Sequence, residues 1–151
     1  MRNKSINYVI GDATYPIGND RKIIAHICNN ENKWGRGFVL AVSKRWKQPE
    51  IEYRASPNHI LGNVQFVKVS DDITVANMIA QHGIISEKNR RPISYAALRI
   101  CLSEVNDKAF KLNATIHMPR IGTGLAGGDW NIIEQIIKDV MSVNVIVYDL
   151  M

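Results

Sequence analysis

The segment Met118-Pro119-Arg120-Ile121-Gly122-Thr123-Gly124-Leu125-Ala126-Gly127-Gly128-Asp129-Trp130 carries the strongest chemical signal in the chain, because four of its ten glycines fall between residues 122 and 128. Without side chains, main-chain amides can approach a phosphate closely, and the start of a following helix adds unpaired donors and a favourable dipole. The chemistry implied is the cradling of a diphosphate. The same glycines would also serve a tight strand-to-helix connection with no ligand, and residue types alone leave both readings open. The segment lacks the Lys of a P-loop and the glycine spacing of the dinucleotide fingerprint.

A second turn, Asn29-Asn30-Glu31-Asn32-Lys33-Trp34-Gly35-Arg36-Gly37, could bring further amides to the same pocket. Asn29 both donates and accepts hydrogen bonds, which suits ribose hydroxyls, and is equally a turn former. Gly11-Asp12 follows an apolar run, where the carboxylate could accept from an exocyclic amine or cap local amides. Tyr148 closes the last apolar run and could stack on a base or pack in the core. Three groups are candidates for acid–base or electrostatic work: His26, His82 and Asp129. Their structural alternatives are a core histidine, an exposed turn residue and a helix cap, respectively.

Positioning these groups requires strands and helices in alternation. Short runs rich in Val and Ile propose six strands: about Ile6 to Ile10, Ile23 to Cys28, Val64 to Val69, Thr74 to Ile79, Thr115 to Met118 and Val143 to Tyr148. Several lack clean alternation, as strands buried on both faces do. Phe38, Val42 and Trp46 share one face of a proposed helix over Phe38 to Trp46. A longer helix is expected after Pro92, with Ser94 as cap or first-turn residue and Leu98, Cys101, Leu102 and Val105 inward. A third runs from about Asn131 to Met141, with Ile132, Ile133, Ile136, Ile137 and Val140 as its inward stripe and Asp129 or Asn131 as its cap. The segment Gln48 to Gly62, with Pro49, Pro57 and Asn58, reads as a loop or short-helix excursion. Lys88, Arg90 and Arg91 fall in a turn that is either simply solvated or faces a phosphate.

One domain over residues 1–151 is expected, since a chain of this size can bury a core by itself. At 46% hydrophobic and 22% charged, the composition argues against disordered and fibrous classes. The formal charge of +5 favours anionic partners without selecting one. Cys28 and Cys101 have no neighbouring Cys or His at zinc spacing, so neither a metal site nor a disulfide framework is expected. No apolar run approaches the length of a membrane span or a signal peptide, and a soluble cytoplasmic protein is the expectation.

Taken together, Gly11-Asp12, His26-Ile27-Cys28-Asn29, Gly35-Arg36-Gly37, Val75 to Gln81, the Pro119 to Gly128 loop and Val147-Tyr148 resemble the macrodomain family over nearly the whole chain. The likeness is to its compact branch, which includes the terminal ADP-ribose protein glycohydrolase, antitoxins acting on ADP-ribosylated DNA, and ADP-ribose-1''-phosphate phosphatases. The resemblance implies a three-layer α/β fold, with a mixed sheet of about six strands and helices on both faces. The implied ligand is ADP-ribose or a derivative, free or carried by protein or DNA, bound without a cofactor. Carried over residue by residue, Asp12 would contact the adenine amine, and Asn29 the distal ribose. Gly35 and Gly37 would belong to the first binding loop, and Gly122, Thr123, Gly124 and Leu125 to the diphosphate loop. Tyr148 would lie near the adenine or its ribose.

The protein glycohydrolases of this branch use a Lys on the strand before the long helix and an Asp directly after Gly-x-Gly-Leu. Here the first position falls near Gln81 and the second is Ala126, so that mechanism does not transfer unchanged. The resemblance leaves open a hydrolase acting on ADP-ribose-1''-phosphate or a terminal ADP-ribosyl adduct, and a noncatalytic reader of ADP-ribose. Nucleic-acid binding has only the basic clusters in its favour, including Lys44, Arg45 and Lys47, with few interleaved aromatics. Oligomeric state is not indicated by the sequence.

Overall fold

The computed structural model describes residues 5–151. Among these, the order is β1 (Ile6–Ile10), β2 (Arg21–Asn29), α1 (Phe38–Arg45), α2 (Gln48–Ala55), β3 (Val64–Lys68), β4 (Ile73–Gln81), α3 (Tyr95–Leu112), β5 (Ala114–Pro119), a 3-10 turn (Gly124–Ala126), α4 (Trp130–Val140) and β6 (Val145–Asp149). The strands form one sheet in the order β1-β6-β5-β2-β4-β3. All neighbours are parallel except β3, which runs antiparallel to β4. The expected mixed six-stranded α/β sheet is therefore present, and the parallel strands end at one common edge.

The central strands are buried on both faces, which explains their continuous apolar runs. On β2, Ile23 and Ala25 pack under α3 and α4 with Met78, Leu98, Ile116 and Ile133. Ile24 and Cys28 pack under α1 and α2 with Val42, Tyr53 and Val75. Helices thus cover both faces, giving three layers. Both cysteines are buried and free, and burial pushes the Cys101 thiol up to about 12.

Helix ends follow their residue types. Ser94 Oγ accepts from Ala97 N at the start of α3, and Asp129 Oδ1 accepts from Asn131 N at the start of α4. Asn113 ends α3 in the left-handed conformation at φ 54. Of the two readings of Gln48 to Gly62, the short helix is present: residues 48–55 form α2, with Pro49 in its first turn and Pro49 and Tyr53 buried. Two expectations are corrected. Ile132 is 45% exposed, because the inward face of α4 is carried by Ile133, Ile136 and Ile137. The last strand begins at Val145, with Val143 buried ahead of it. No helix among the described residues is long and apolar enough to cross a membrane.

Candidate functional site

Connections leaving β1, β2, β4 and β5 converge where the parallel strands end, the usual place for a ligand in an α/β sheet. Two cavities lie there, of about 220 Å³ and about 350 Å³. They share Ile27, Arg36, Val39, Gln81 and Leu125, so they form one continuous cleft.

The larger cavity is built on the glycine loop after β5, with Gly122, Thr123, Gly124 and Leu125 among its lining. Gly122, Gly124 and Gly127 have φ of 77°, 59° and 73°, a region that side chains disfavour. The loop closes on its own backbone: Gly127 N donates to Gly124 O at 3.0 Å and Gly128 N to Gly122 O at 2.7 Å. Crowding adds a second requirement. A Cβ at Gly128 would lie 2.4 Å from Gly122 O, and one at Gly127 would lie 2.5 Å from Arg90 O. At the loop's entry Thr123 Oγ1 donates to Arg120 O, and Arg120 makes a two-point pair with Asp149 at 2.7 and 2.9 Å. That pairing holds the Asp149 carboxyl below its usual range.

The smaller cavity is built on the turn after β2. Asn29, Lys33, Gly35 and Arg36 line one side, and Ile84 and Ile85 of the β4–α3 connection line the other. The Asn29 side chain is 8% exposed and folds the turn around itself. Its Oδ1 accepts from Glu31 N at 2.9 Å and Lys33 N at 3.1 Å, while its Nδ2 donates to Lys33 O at 2.8 Å. Across the cleft the two loops meet, since a Cβ at Gly37 would lie 3.6 Å from Leu125 Cδ1.

Asp12 and Tyr148 line neither cavity. Asp12 Oδ1 accepts from Thr14 N and Thr14 Oγ1 at 2.9 and 2.7 Å, closing the turn after β1. Tyr148 packs against Gly11, where a Cβ would lie 3.5 Å from its ring, and it is 3% exposed. Its hydroxyl accepts from Ile17 N at 2.9 Å and shares a hydrogen bond of 2.7 Å with His117 Nδ1, while His117 Nε2 shares one of 2.8 Å with Thr115 Oγ1. Burial lowers His117 to about 4, so it is neutral near pH 7.

The candidate acid–base groups are dispersed. His26 lies in the floor of the larger cavity, 1% exposed, with Nε2 donating to Asn77 Oδ1 at 2.6 Å. Its Nδ1 has no partner among the described residues, and burial lowers its pKa to about 4. His82 is exposed and accepts at Nδ1 from Asn30 Nδ2, outside both linings. Asp129 is exposed and capping α4, also outside them. Among the described residues neither cavity is lined by a carboxylate, whereas Lys33 lines the smaller one, Arg120 the larger and Arg36 both. Gln81 lines both, with Nε2 donating to Gly83 O at 2.9 Å.

Sequence reading named the loops but passed over Arg36, Ile84 and Ile85 as lining residues. Arg36 had a signal, its position between two glycines, while the Ile84-Ile85 pair was visible only as an apolar interruption in a polar connection.

No family model matches the chain. A Bacteroides thetaiotaomicron protein of unknown function is 51% identical, with 96% of this chain and 98% of that one covered at a TM-score of 0.92. A macrodomain protein from Streptomyces coelicolor is 46% identical, with 96% and 99% covered at a TM-score of 0.83. Among curated relatives, the chromodomain-helicase-DNA-binding protein 1-like of Mus musculus is 31% identical over 91% of this chain, which spans only 17% of that protein's length. The ADP-ribose 1''-phosphate phosphatase of Candida albicans is 25% identical, with 95% of this chain and 98% of the relative covered.

Proposed function

The chain belongs to the macrodomain family, and from that premise we propose that its cleft binds ADP-ribose and hydrolyses the terminal bond of ADP-ribose-1''-phosphate or of an ADP-ribosyl adduct. The observation that carries the reading is the continuity of the two cavities through Ile27, Arg36, Val39, Gln81 and Leu125, which makes one cleft with the glycine loop along it. The loop around Gly122 to Leu125 takes the diphosphate on main-chain amides. Asp12 and Tyr148 take the adenine end, and the turn around Asn29 takes the distal ribose.

The charge at that distal end suits hydrolysis in which negative charge builds up. Lys33 and Arg36 offset that charge. With the phosphate, water bonds to the terminal phosphorus as the bond to the sugar oxygen breaks, and the proton that water loses goes to that oxygen. With an adduct, water bonds to the anomeric carbon and its proton goes to the departing group. One observation favours the reader as second reading. Where the related glycohydrolases have Lys and Asp, this cleft has Gln81 and Ala126, and no carboxylate lines it among the described residues.

The test is a titration of purified protein with ADP-ribose, alongside incubation with ADP-ribose-1''-phosphate, ADP-ribosylated protein and ADP-ribosylated DNA. Saturable binding with release of phosphate or ADP-ribose is the expected result. Binding without turnover establishes the reader, and absence of binding overturns the assignment.

A further inference from the structure

Helix α2 lines neither cavity, yet it grips the β2–α1 turn at several points. Tyr53 is fully buried, and its hydroxyl lies 2.6 Å from Asn29 O and 2.9 Å from Asn29 Oδ1. Its ring packs between Trp34 of the turn at 5.2 Å and His59 at 4.1 Å, the latter stacked at an interplanar angle of 11°. Trp34 Nε1 donates to Ser43 Oγ, which donates to Glu50 Oε1. The turn's midpoint is held as well: Asn32, at φ 61, gives its main-chain oxygen to Arg54 and its side-chain oxygen to His59 Nε2.

From this arrangement we propose that Tyr53 is a positioning residue for the distal-ribose side of the cleft, its hydroxyl fixing Asn29 and thereby the presentation of Lys33, Gly35 and Arg36. The inference rests on the ADP-ribose reading for its ligand, and on the hydrogen bonds alone for its mechanics. The Asn29 side chain can organise the turn only while its own orientation is fixed. It lies on β2 next to a register shift between Cys28 and Asn29, where the ladder to β4 loosens its hold. The Tyr53 hydroxyl supplies a fixed donor there from a dry side, where no water competes for it. A turn preset in this way gives up less conformational entropy when a ligand arrives.

The deciding variant is Tyr53→Phe, which keeps the ring stack and removes only the hydroxyl. Expected is a folded protein whose affinity for ADP, which lacks the distal ribose, stays within about twofold of wild type, while its affinity for ADP-ribose falls by about tenfold. In the same variant, amide hydrogen exchange at Glu31 and Lys33 accelerates while Gly127 and Gly128 keep wild-type rates. Arg54→Ala, on an exposed residue, shifts the same readouts in the same direction by less. Equal weakening of ADP and ADP-ribose, or wild-type exchange at Glu31 and Lys33, overturns the proposal. If the wild-type protein binds no ADP-ribose, the functional reading fails, and the exchange comparison still decides whether Tyr53 positions the turn.

Discussion

The two loops that meet across the cleft are held in opposite ways. The one after β5 is fixed mainly by backbone, through Gly127 N to Gly124 O, Gly128 N to Gly122 O and Ile93 N to Ala126 O, with Thr123 Oγ1 on Arg120 O at its entry, and a Cβ at Gly122, Gly127 or Gly128 would collide with its neighbours. The one after β2 is fixed by side chains, with Asn29 at its centre and Tyr53, Arg54 and His59 behind it. The proposed binding mode accounts for the division. On it, a loop that lays bare amides against a phosphate has to clear side chains away, whereas one that frames a sugar and its substituent needs polar side chains and can be braced by them. The first should therefore fail when an atom is added, and the second when a polar atom is removed.

Among single substitutions the largest effect is expected from Gly128→Ala. The new Cβ would meet Gly122 O at 2.4 Å, a backbone atom that cannot swing aside, with Ile133 Cδ1 at 3.1 Å. The expected cost is about 3 kcal/mol in a urea titration, with loss of ADP-ribose binding. A variant with wild-type midpoint and affinity would show that this loop is not held by its own backbone.

Protonation tests the surroundings of both loops. His26 and His117 are lowered by burial to about 4, below the 6.5 of an exposed histidine, so the unfolded chain binds more protons between these values. Their contribution is fully present above about pH 6.5 and declines as pH falls toward 4, by at most about 1.4 kcal/mol per pH unit for each. Urea midpoints at pH 7, 6 and 5 should fall in that order; a flat profile would mean that neither ring is buried neutral.

Asn29→Ala comes next and addresses the other loop. It strips the acceptor from Glu31 N and Lys33 N and leaves the Tyr53 hydroxyl only Asn29 O, at an expected cost of about 2 kcal/mol. Exchange of the Glu31 and Lys33 amides should accelerate with no change at Gly127 and Gly128. Acceleration in both loops together would erase the distinction between them.

The same contrast governs what the sequence reveals. All six strands were legible because Val and Ile cluster where both sheet faces are covered, and Ser94 and Asp129 announced the helices they cap. The glycine loop was legible because its requirement, an absent side chain, is written in residue type. Helix α2 was legible only as one of two readings, a loop or a short helix, because Pro49, two glutamates and an arginine among eight residues hide two buried positions. Tyr53 in turn gains its role from Asn29, 24 residues away, a pairing that no local pattern records. His26, His82 and Asp129 were legible as titratable or polar residues, but only the fold separates a ring in the cavity floor from an exposed turn and a helix cap.

The smallest effects come from Gly124 and Gly35, which separate backbone conformation from available space. Neither would place a Cβ within 4 Å of a neighbour, so crowding is absent at both. Gly124, however, has φ 59, where an alanine pays for the left-handed conformation, while Gly35 has no positive φ. Gly124→Ala should therefore lower stability by about 1 kcal/mol. Gly35→Ala should stay within about 0.5 kcal/mol of wild type. Because Gly35 lines the smaller cavity, any loss in that variant should appear in ADP-ribose affinity with ADP affinity unchanged. A Gly35→Ala protein as destabilised as Gly124→Ala would place a backbone constraint in the loop now assigned to side chains, and the division between the two loops would have to be redrawn.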